Sequence, residues 1–413
     1  MRKQLTALVL LMMLSFSGVV WGQNPERPVV RLDNINTNPA NWKTVAPGLE
    51  HLQLARGYYV KDDPKTGPWF INMLRVNPKM YQLEVRHALD EGVGLETVSD
   101  MARRLNAVAA INGGFFALNG SYRGDPVGAL MMGGSLISEP WSGRTALGIV
   151  PKDNVTELAF STLRWESRLR ITNPSPDTPR PLQSEDTATS LSGINRPRGD
   201  NELLLYTADF HRTTLTNGYG VEAIVRNGKV EQLVRGHGST LIPHDGYVLS
   251  ASGNYAAWAL RMLLPKAQLE LKSECLANEG GNDDLWRKAT GIVTGWPRLL
   301  RGGQMDINLQ QEGVSVEFAE TWHPRTAIGR LSDGRILLLT VDGRQPTLSA
   351  GMSLEMLAKL LEDYGAIEAL NLDGGGSTTM FIRGVVVNSP SDKTGERPVS
   401  DALLLFPRHS NLR

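Results

Sequence analysis

The chain has 413 residues, 43 basic and 43 acidic side chains and a hydrophobic fraction of 41%. That length supports one large domain or two ordinary ones with a sizeable core. A formal net charge of zero excludes a whole-protein field favouring nucleic acid or an anionic membrane, and no local basic patch replaces it.

The first residues read as a targeting segment. Arg2 and Lys3 precede an apolar run from Leu5 to Val20, and Val20-Trp21-Gly22 ends in a small residue. This pattern predicts a cleavable secretory signal over 1–22, hence a secreted or periplasmic protein with no membrane contact after cleavage. An uncleaved anchor is the competing reading, disfavoured because the run is short for a span. Residues 23–44 are rich in Asn and Pro and read as a linker or arm.

From Val45 the pattern turns to strands. Leu52-Gln53-Leu54, Phe70 to Val76 and Tyr81 to Arg86 are apolar or alternating, with a turn at Asp62 to Pro68. Thr97 or Ser99 then caps a helix carrying Val98, Met101, Ala102 and Leu105, ending near Asn106. Ala107 to Ile111 follows as a buried strand and runs into Asn112-Gly113-Gly114-Phe115-Phe116.

The same order returns near the C-terminus. Ser353 caps a helix with Leu354, Leu357, Leu360 and Leu361 on one face, and Gly365 stops it. Ala366 to Leu372 is the strand, and Asp373-Gly374-Gly375-Gly376 is the turn. A second echo pairs Arg144-Thr145-Ala146-Leu147-Gly148 with Arg325-Thr326-Ala327-Ile328-Gly329. Similar strand-and-turn sequences also arise by chance, so no duplication is inferred.

Between these ends the chain reads as antiparallel β. Gly128 to Ile137 holds two strands about Gly133-Gly134. Asn227-Gly228 and Asp333-Gly334 are hairpin signals between alternating runs. Residues 171–200 read as an exposed loop, Gly291 to Leu300 as one strand, and 302–320 as a polar loop. Lys272-Ser273-Glu274-Cys275 holds the only cysteine, so no intrachain disulfide forms and no thiol-activating pattern is visible. The expected fold class is α+β, a mixed, largely antiparallel β-sheet core with flanking helices, in one catalytic domain over 45–410.

The polar residues gather at strand ends in the C-terminal third. Arg325, Arg344 and Arg397 are guanidinium candidates suited to phosphate oxygens. Asp342 and Asp373 are the paired carboxylates that sugar hydrolysis usually needs. A turn seldom needs three glycines, so Gly374, Gly375 and Gly376 suggest backbone amides brought close to a ligand. Asp342-Gly343 by itself reads equally as a turn, Arg325 as a structural ion pair, His323 as a packing histidine, and Phe115 and Phe116 as core.

Several machines are excluded. Gly374 to Thr378 lacks the lysine of a P-loop, and position 379 lacks the glycine of a nucleophile elbow. No His-Glu-x-x-His or Cys-x-x-Cys is present, so a typical zinc site is not expected. No cofactor is called for. Calcium or magnesium on Asp373 or Asp342 stays open, without EF-hand spacing.

Ala110 to Phe116, His323 to Gly329, Thr340 to Arg344, Asn371 to Thr378, and Val387 to Pro390 with Gly395 to Ser400 together resemble the phosphodiester glycosidase family. The resemblance spans residues 95–406, with a poorly matching middle at 160–290. It implies hydrolysis of the bond between a sugar's anomeric carbon and a phosphodiester, for an N-acetylglucosamine-like sugar, in exopolysaccharide or cell-envelope glycan metabolism. It also implies roles: Asp373, then Asp342, as catalytic carboxylates. Asn112, Gly113, Gly114, Arg325, Thr326, Arg344, Gly374, Gly375, Gly376, Ser377, Thr378, Asn388 and Arg397 would bind the substrate. The alternative is a non-catalytic module that binds polysaccharide or a cell-wall polymer in the same pocket. The partner in either case is a carbohydrate or sugar phosphate, and the oligomeric state is left open.

Overall fold

The structure, a computed structural model, describes residues 42–61, 66–90, 92–178, 187–278 and 283–408. The expected signal at 1–22, most of the arm at 23–44 and residues 62–65 of the Asp62 to Pro68 turn lie outside them.

Three sheets carry the fold. An eight-stranded antiparallel sheet runs in the order Lys43–Ala46, Leu49–Arg56, Trp69–Val76, Ile336–Val341, Arg325–Leu331, Ala366–Asn371, Arg298–Arg301, Gln304–Met305. A five-stranded sheet orders Val385–Val386, Met380–Ile382, Ala109–Asn112, Asp401–Pro407 and Tyr81–His87. The two face each other. Alternate side chains Leu74, Ile328, Leu338 and Leu370 from the first meet Leu83, Ile111, Leu403 and Leu405 from the second.

Both sheets are buried on their outer faces too. The intervening residues Leu337, Leu339 and Val341 pack on Leu354, Leu357 and Leu361 of the helix Leu354–Asp363. The helix Val98–Arg104 covers Ala110, Phe381 and Leu404. Burying each such leucine stabilises the fold by about 2 kcal/mol. The caps are as expected: Thr97 and Ser353 accept from the amides of Asp100 and Met356. Gly365 ends the second helix at φ +82°.

The third sheet holds twelve strands, built around the long strand Val155–Asn173 paired with Thr145–Lys152 and Gln268–Ala277. Its hairpin Val221–Arg226/Lys229–Arg235 turns at Asn227 and Gly228, both at positive φ. Among the strand pairs described, Gly193–Ile194 with Leu203–Thr207 is parallel. The fold is therefore β-rich and mostly antiparallel. Its five described α-helices are short, so α+β describes it only loosely.

Three expectations change. Gly291 to Leu300 is two strands, Gly291–Thr294 in the twelve-stranded sheet and Arg298–Arg301 in the eight-stranded one. Gly295-Trp296-Pro297 crosses between them, because Gly295 rests on the Asn371 carbonyl with no room for a Cβ. The 171–200 segment is not simply an exposed loop. Leu191, Ile194 and Asn195 are buried, and Asn195 Nδ2 donates to Ile137 O at 2.9 Å. The 302–320 loop contains the helix Val316–Glu320 and the buried Glu312, which accepts from the amides of Thr145 and Arg298. Cys275 is buried among apolar neighbours, which pushes its thiol up to about 12.

Candidate active site at the docked turns

The two glycine turns that echo each other in sequence meet in space. Ala109–Asn112 lies at the centre of the five-stranded sheet, and Ala366–Asn371 lies in the eight-stranded one. Their C-terminal ends converge. Asn112 Nδ2 donates to Asp373 O at 2.7 Å, and Asp373 N donates to Gly113 O at 3.1 Å. Asn112 Oδ1 accepts from Thr326 Oγ1 at 2.8 Å and from Thr379 N at 3.1 Å. One buried amide therefore ties both sheets to the turn that carries Asp373.

Asp373 is half-buried. Its Oδ1 accepts from the amide of Gly374 at 2.8 Å. Burial raises its carboxyl to about 6, against the Ser377 hydroxyl, the Gly374 amide and the charges of Arg397 and Arg344.

The three glycines answer to packing. A Cβ on Gly374 would stand 2.6 Å from Pro324 O. Gly375 adopts φ +62°, and a Cβ there would lie 3.0 Å from the Arg344 guanidinium. Asp392 and Arg397 occupy the space a Cβ on Gly376 would take. The turn's amides are largely spent internally: Gly374 on Asp373, Gly375 on Pro324 O, Ser377 on Gly374 O and Thr378 on Gly375 O. The expected amide cradle is corrected accordingly, since those donors have partners.

The arginines divide. Arg325 is buried, with Nε on Met352 O at 2.9 Å and Nη2 on Phe318 O at 2.8 Å and Thr321 O at 2.9 Å. Its Cζ lies 4.7 Å from the Phe318 ring centroid. Burial, then the Arg344 charge, lowers its pKa to about 10. That fork clamps the backbone and is not open for phosphate. Arg344 is exposed, lies over Gly375 and makes no hydrogen bond or ion pair among the described residues. Its φ of +59° is a left-handed conformation costing about 1 kcal/mol. Arg397 is half-buried and forks onto Asp392 at 2.7 and 3.0 Å. His323 is half-buried beside Phe318. Burial and the charges of Arg325 and Arg344 lower it to about 4, so it is neutral at physiological pH.

Asp342 is 1% exposed. Its oxygens accept from Asn388 Nδ2 at 2.9 Å and Ser389 N at 2.7 Å, and burial raises it to about 6. Asn388 also donates to Thr378 O and accepts from Met380 N. Asp342 is thus a buried peg for the 378–389 segment. Asn112, Gly113, Gly114, Thr326, Gly375, Gly376, Ser377 and Thr378 are buried as well. Of the expected residues, solvent reaches Asp373, Gly374, Arg344 and Arg397.

A carboxylate missed in the sequence stands behind the turn. Asp401 opens the strand Asp401–Pro407 and is 1% exposed. Its Oδ1 accepts from Gly114 N at 2.7 Å, and its carbonyl accepts from Gly113 N at 3.0 Å. Its Oδ2 is buried without a hydrogen-bond partner. Burial raises Asp401 to about 6, the Gly114 amide opposes that, and the Asp373 charge adds to it. The available signal was an acid immediately before the apolar run Ala402 to Phe406. Among the described residues no three His, Cys, Asp or Glu side chains gather as a metal cluster.

Residues 219–406 match the family model described as phosphodiester glycosidase. That stretch is similar to a phosphodiester glycosidase domain. The Asn112 turn lies ahead of the matched stretch, while 219–290, expected to match poorly, lies within it. An N-acetylglucosamine-1-phosphodiester α-N-acetylglucosaminidase of Mus musculus is 32% identical over 110 residues, 24% of this chain and 21% of the mouse protein. The alignment thus spans about a fifth of that relative. A Burkholderia pseudomallei protein described as exported is 29% identical, with TM-score 0.69 over 83% of this chain and 75% of its own. A hypothetical protein of Synechocystis shares the fold at TM-score 0.71 and 22% identity, over 88% of this chain and 63% of its own. No described helix is long and apolar enough to cross a membrane.

Proposed function

We propose that this protein is an exported glycosidase that hydrolyses a sugar-1-phosphodiester to free sugar and phosphate monoester. The observation that carries the reading is the half-buried Asp373 carboxylate on a turn overlaid by Arg344 and flanked by Arg397. The domain match supports the reaction class.

In this reading Arg344, with Arg397 beside it, holds the phosphodiester oxygens. Water attacks the anomeric carbon and passes a proton to Asp373. The anomeric C–O bond breaks, and its electron pair leaves with the phosphate monoester. That leaving group is already stable, so a strong general acid is less necessary than in ordinary glycoside hydrolysis. Asp342 and Asn112 serve as positioning residues, since their polar atoms are engaged within the protein. An N-acetylglucosamine-like sugar from an envelope or exported glycan is the proposed substrate class.

The test is release of free sugar and phosphate monoester from a panel of UDP-sugars and synthetic sugar-1-phosphodiesters. Asp373→Asn should lower kcat at least about a hundredfold. Wild type and variant both inactive on the panel, yet binding polysaccharide equally, would establish the non-catalytic binding module instead.

A further inference from the structure

Beyond the docked turns, Arg144 lies between two indoles. Its Cζ is 4.1 Å from the Trp141 ring centroid and 3.5 Å from that of Trp296. Trp141 is 49% exposed. Trp296 meets Phe115 at 3.6 Å between ring centroids, and Phe115 directly follows Gly113-Gly114. Trp296 O accepts from Asn371 Nδ2 at 2.7 Å, two residues before Asp373. The stack therefore adjoins the docked glycine turns.

Arg144 is half-buried and forms no ion pair among the described residues, and its Nη1 is buried without a hydrogen-bond partner. Glu312 is near enough to bias its charge. The Glu312 oxygens, however, already accept from Thr145 N at 2.9 Å and Arg298 N at 2.8 Å. A guanidinium partly out of water with no anion of its own is costly, and ring faces offset only part of that cost. A group from outside the chain would complete it.

We propose that Trp141, Arg144 and Trp296 form a second ligand subsite, beside the docked turns, for a sugar ring bearing a carboxylate or phosphate. The guanidinium supplies charge-assisted donors to the anionic oxygens. The exposed indole of Trp141 supplies an apolar plane for the C–H face of a pyranose. The inference rests on the sugar-phosphodiester reading for its setting, and it makes the substrate an extended, anionic glycan.

The internal echo supports a shared construction. In both copies of Arg-Thr-Ala-x-Gly the threonine carbonyl receives an amide from the segment leaving the neighbouring strand: Gly295 N to Thr145 O at 3.2 Å, and Leu372 N to Thr326 O at 2.9 Å. Arg144 and Arg325 thus open matching strand pairs, and each stacks on a ring. The Arg325 guanidinium is clamped by three bonds to carbonyls, whereas the Arg144 guanidinium makes none among the described residues.

Isothermal titration calorimetry on the full chain tests this with trigalacturonate, glucose 6-phosphate and neutral maltotriose. Wild type should bind one or both anionic probes and not maltotriose. The two anionic arms tell carboxylate from phosphate. Arg144→Gln should abolish the anionic binding that survives in Arg344→Ala, and Trp141→Ala should weaken it about tenfold. Trp141 is exposed, so that variant decides the matter if Arg144→Gln does not fold. Equal binding of maltotriose, retention in Trp141→Ala, or loss only in Arg344→Ala would overturn the subsite. Anionic binding at Arg144 with no turnover of any phosphodiester would sink the enzymatic reading and leave the subsite standing.

Discussion

Asn112 and Asp373 are 261 positions apart, and the side-chain amide of the first donates to the main-chain carbonyl of the second at 2.7 Å. That bond, with Asp373 N on Gly113 O, locks one glycine turn against the other. The turn that carries the proposed catalytic carboxylate is braced by a residue with no exposed surface.

Asn112→Ala leaves the Asp373 carbonyl, the Thr326 hydroxyl and the Thr379 amide without this partner in a buried place. It should cost about 3 to 4 kcal/mol in chemical denaturation. Catalysis should fall further than the remaining folded fraction explains. Activity that simply tracks the folded fraction would show that the amide braces the fold without aiming Asp373.

The acid pair gives a pH prediction with a definite sign. Burial raises Asp373 and Asp401 to about 6, above an unfolded value near 4. A raised acid contributes stability that is full below the unfolded pKa and is lost as pH rises through the folded one. Asp401→Asn keeps an acceptor for Gly114 N and removes the buried charge. It should therefore stabilise the protein near pH 7 by about 2 kcal/mol and give no gain near pH 4. The same change removes a negative neighbour of Asp373, whose other charged neighbours are Arg344 and Arg397. The acid limb of kcat/KM, expected near pH 6, should move to lower pH. An unmoved limb would separate Asp401 from the titration of Asp373.

The glycine run makes a steric prediction. Gly376→Ala places a methyl where the Arg397–Asp392 pair lies. KM for phosphodiesters should rise about tenfold or more. Gly384→Ala is the control: that glycine has open space around its Cβ position but sits at φ +96°. It should lower stability modestly through backbone strain and leave KM alone. Equal KM values for both variants would remove Arg397 from the substrate site.

Arg344 and Arg325 should behave oppositely. Arg344→Ala removes a guanidinium with no hydrogen bond or ion pair among the described residues and should reduce kcat/KM about a hundredfold, with the melting temperature nearly unchanged. Arg325→Met strands the carbonyls of Met352, Phe318 and Thr321. It should destabilise by about 3 kcal/mol or more. Thermal melts run alongside steady-state kinetics separate the two effects.

The amino-acid sequence by itself determined the local elements. Thr97 and Ser353 announce their helices because a hydroxyl at the cap accepts an otherwise unpaired amide. Asn227-Gly228 announces its hairpin because both positions tolerate positive φ. The short, continuous apolar run Ile336 to Val341, bounded by a turn at Asp333-Gly334, marks a strand and fits burial on both of its faces. Asp373 as the centre of a polar turn was also legible, because three successive glycines are rarely needed for a turn alone. The tertiary structure decided what those glycines are for. Pro324, Arg344 and the Arg397–Asp392 pair press on them from three elements remote in sequence, and no local pattern encodes such crowding. It also decided which charges are usable. Arg325 and Arg344 look alike in sequence, but one is clamped by carbonyls and the other is open, since hydrogen-bond partners come from chain crossings. Asp401 went unseen for the same reason: its meaning comes from Gly113 and Gly114, 287 or more positions away along the chain but in contact across the sheet.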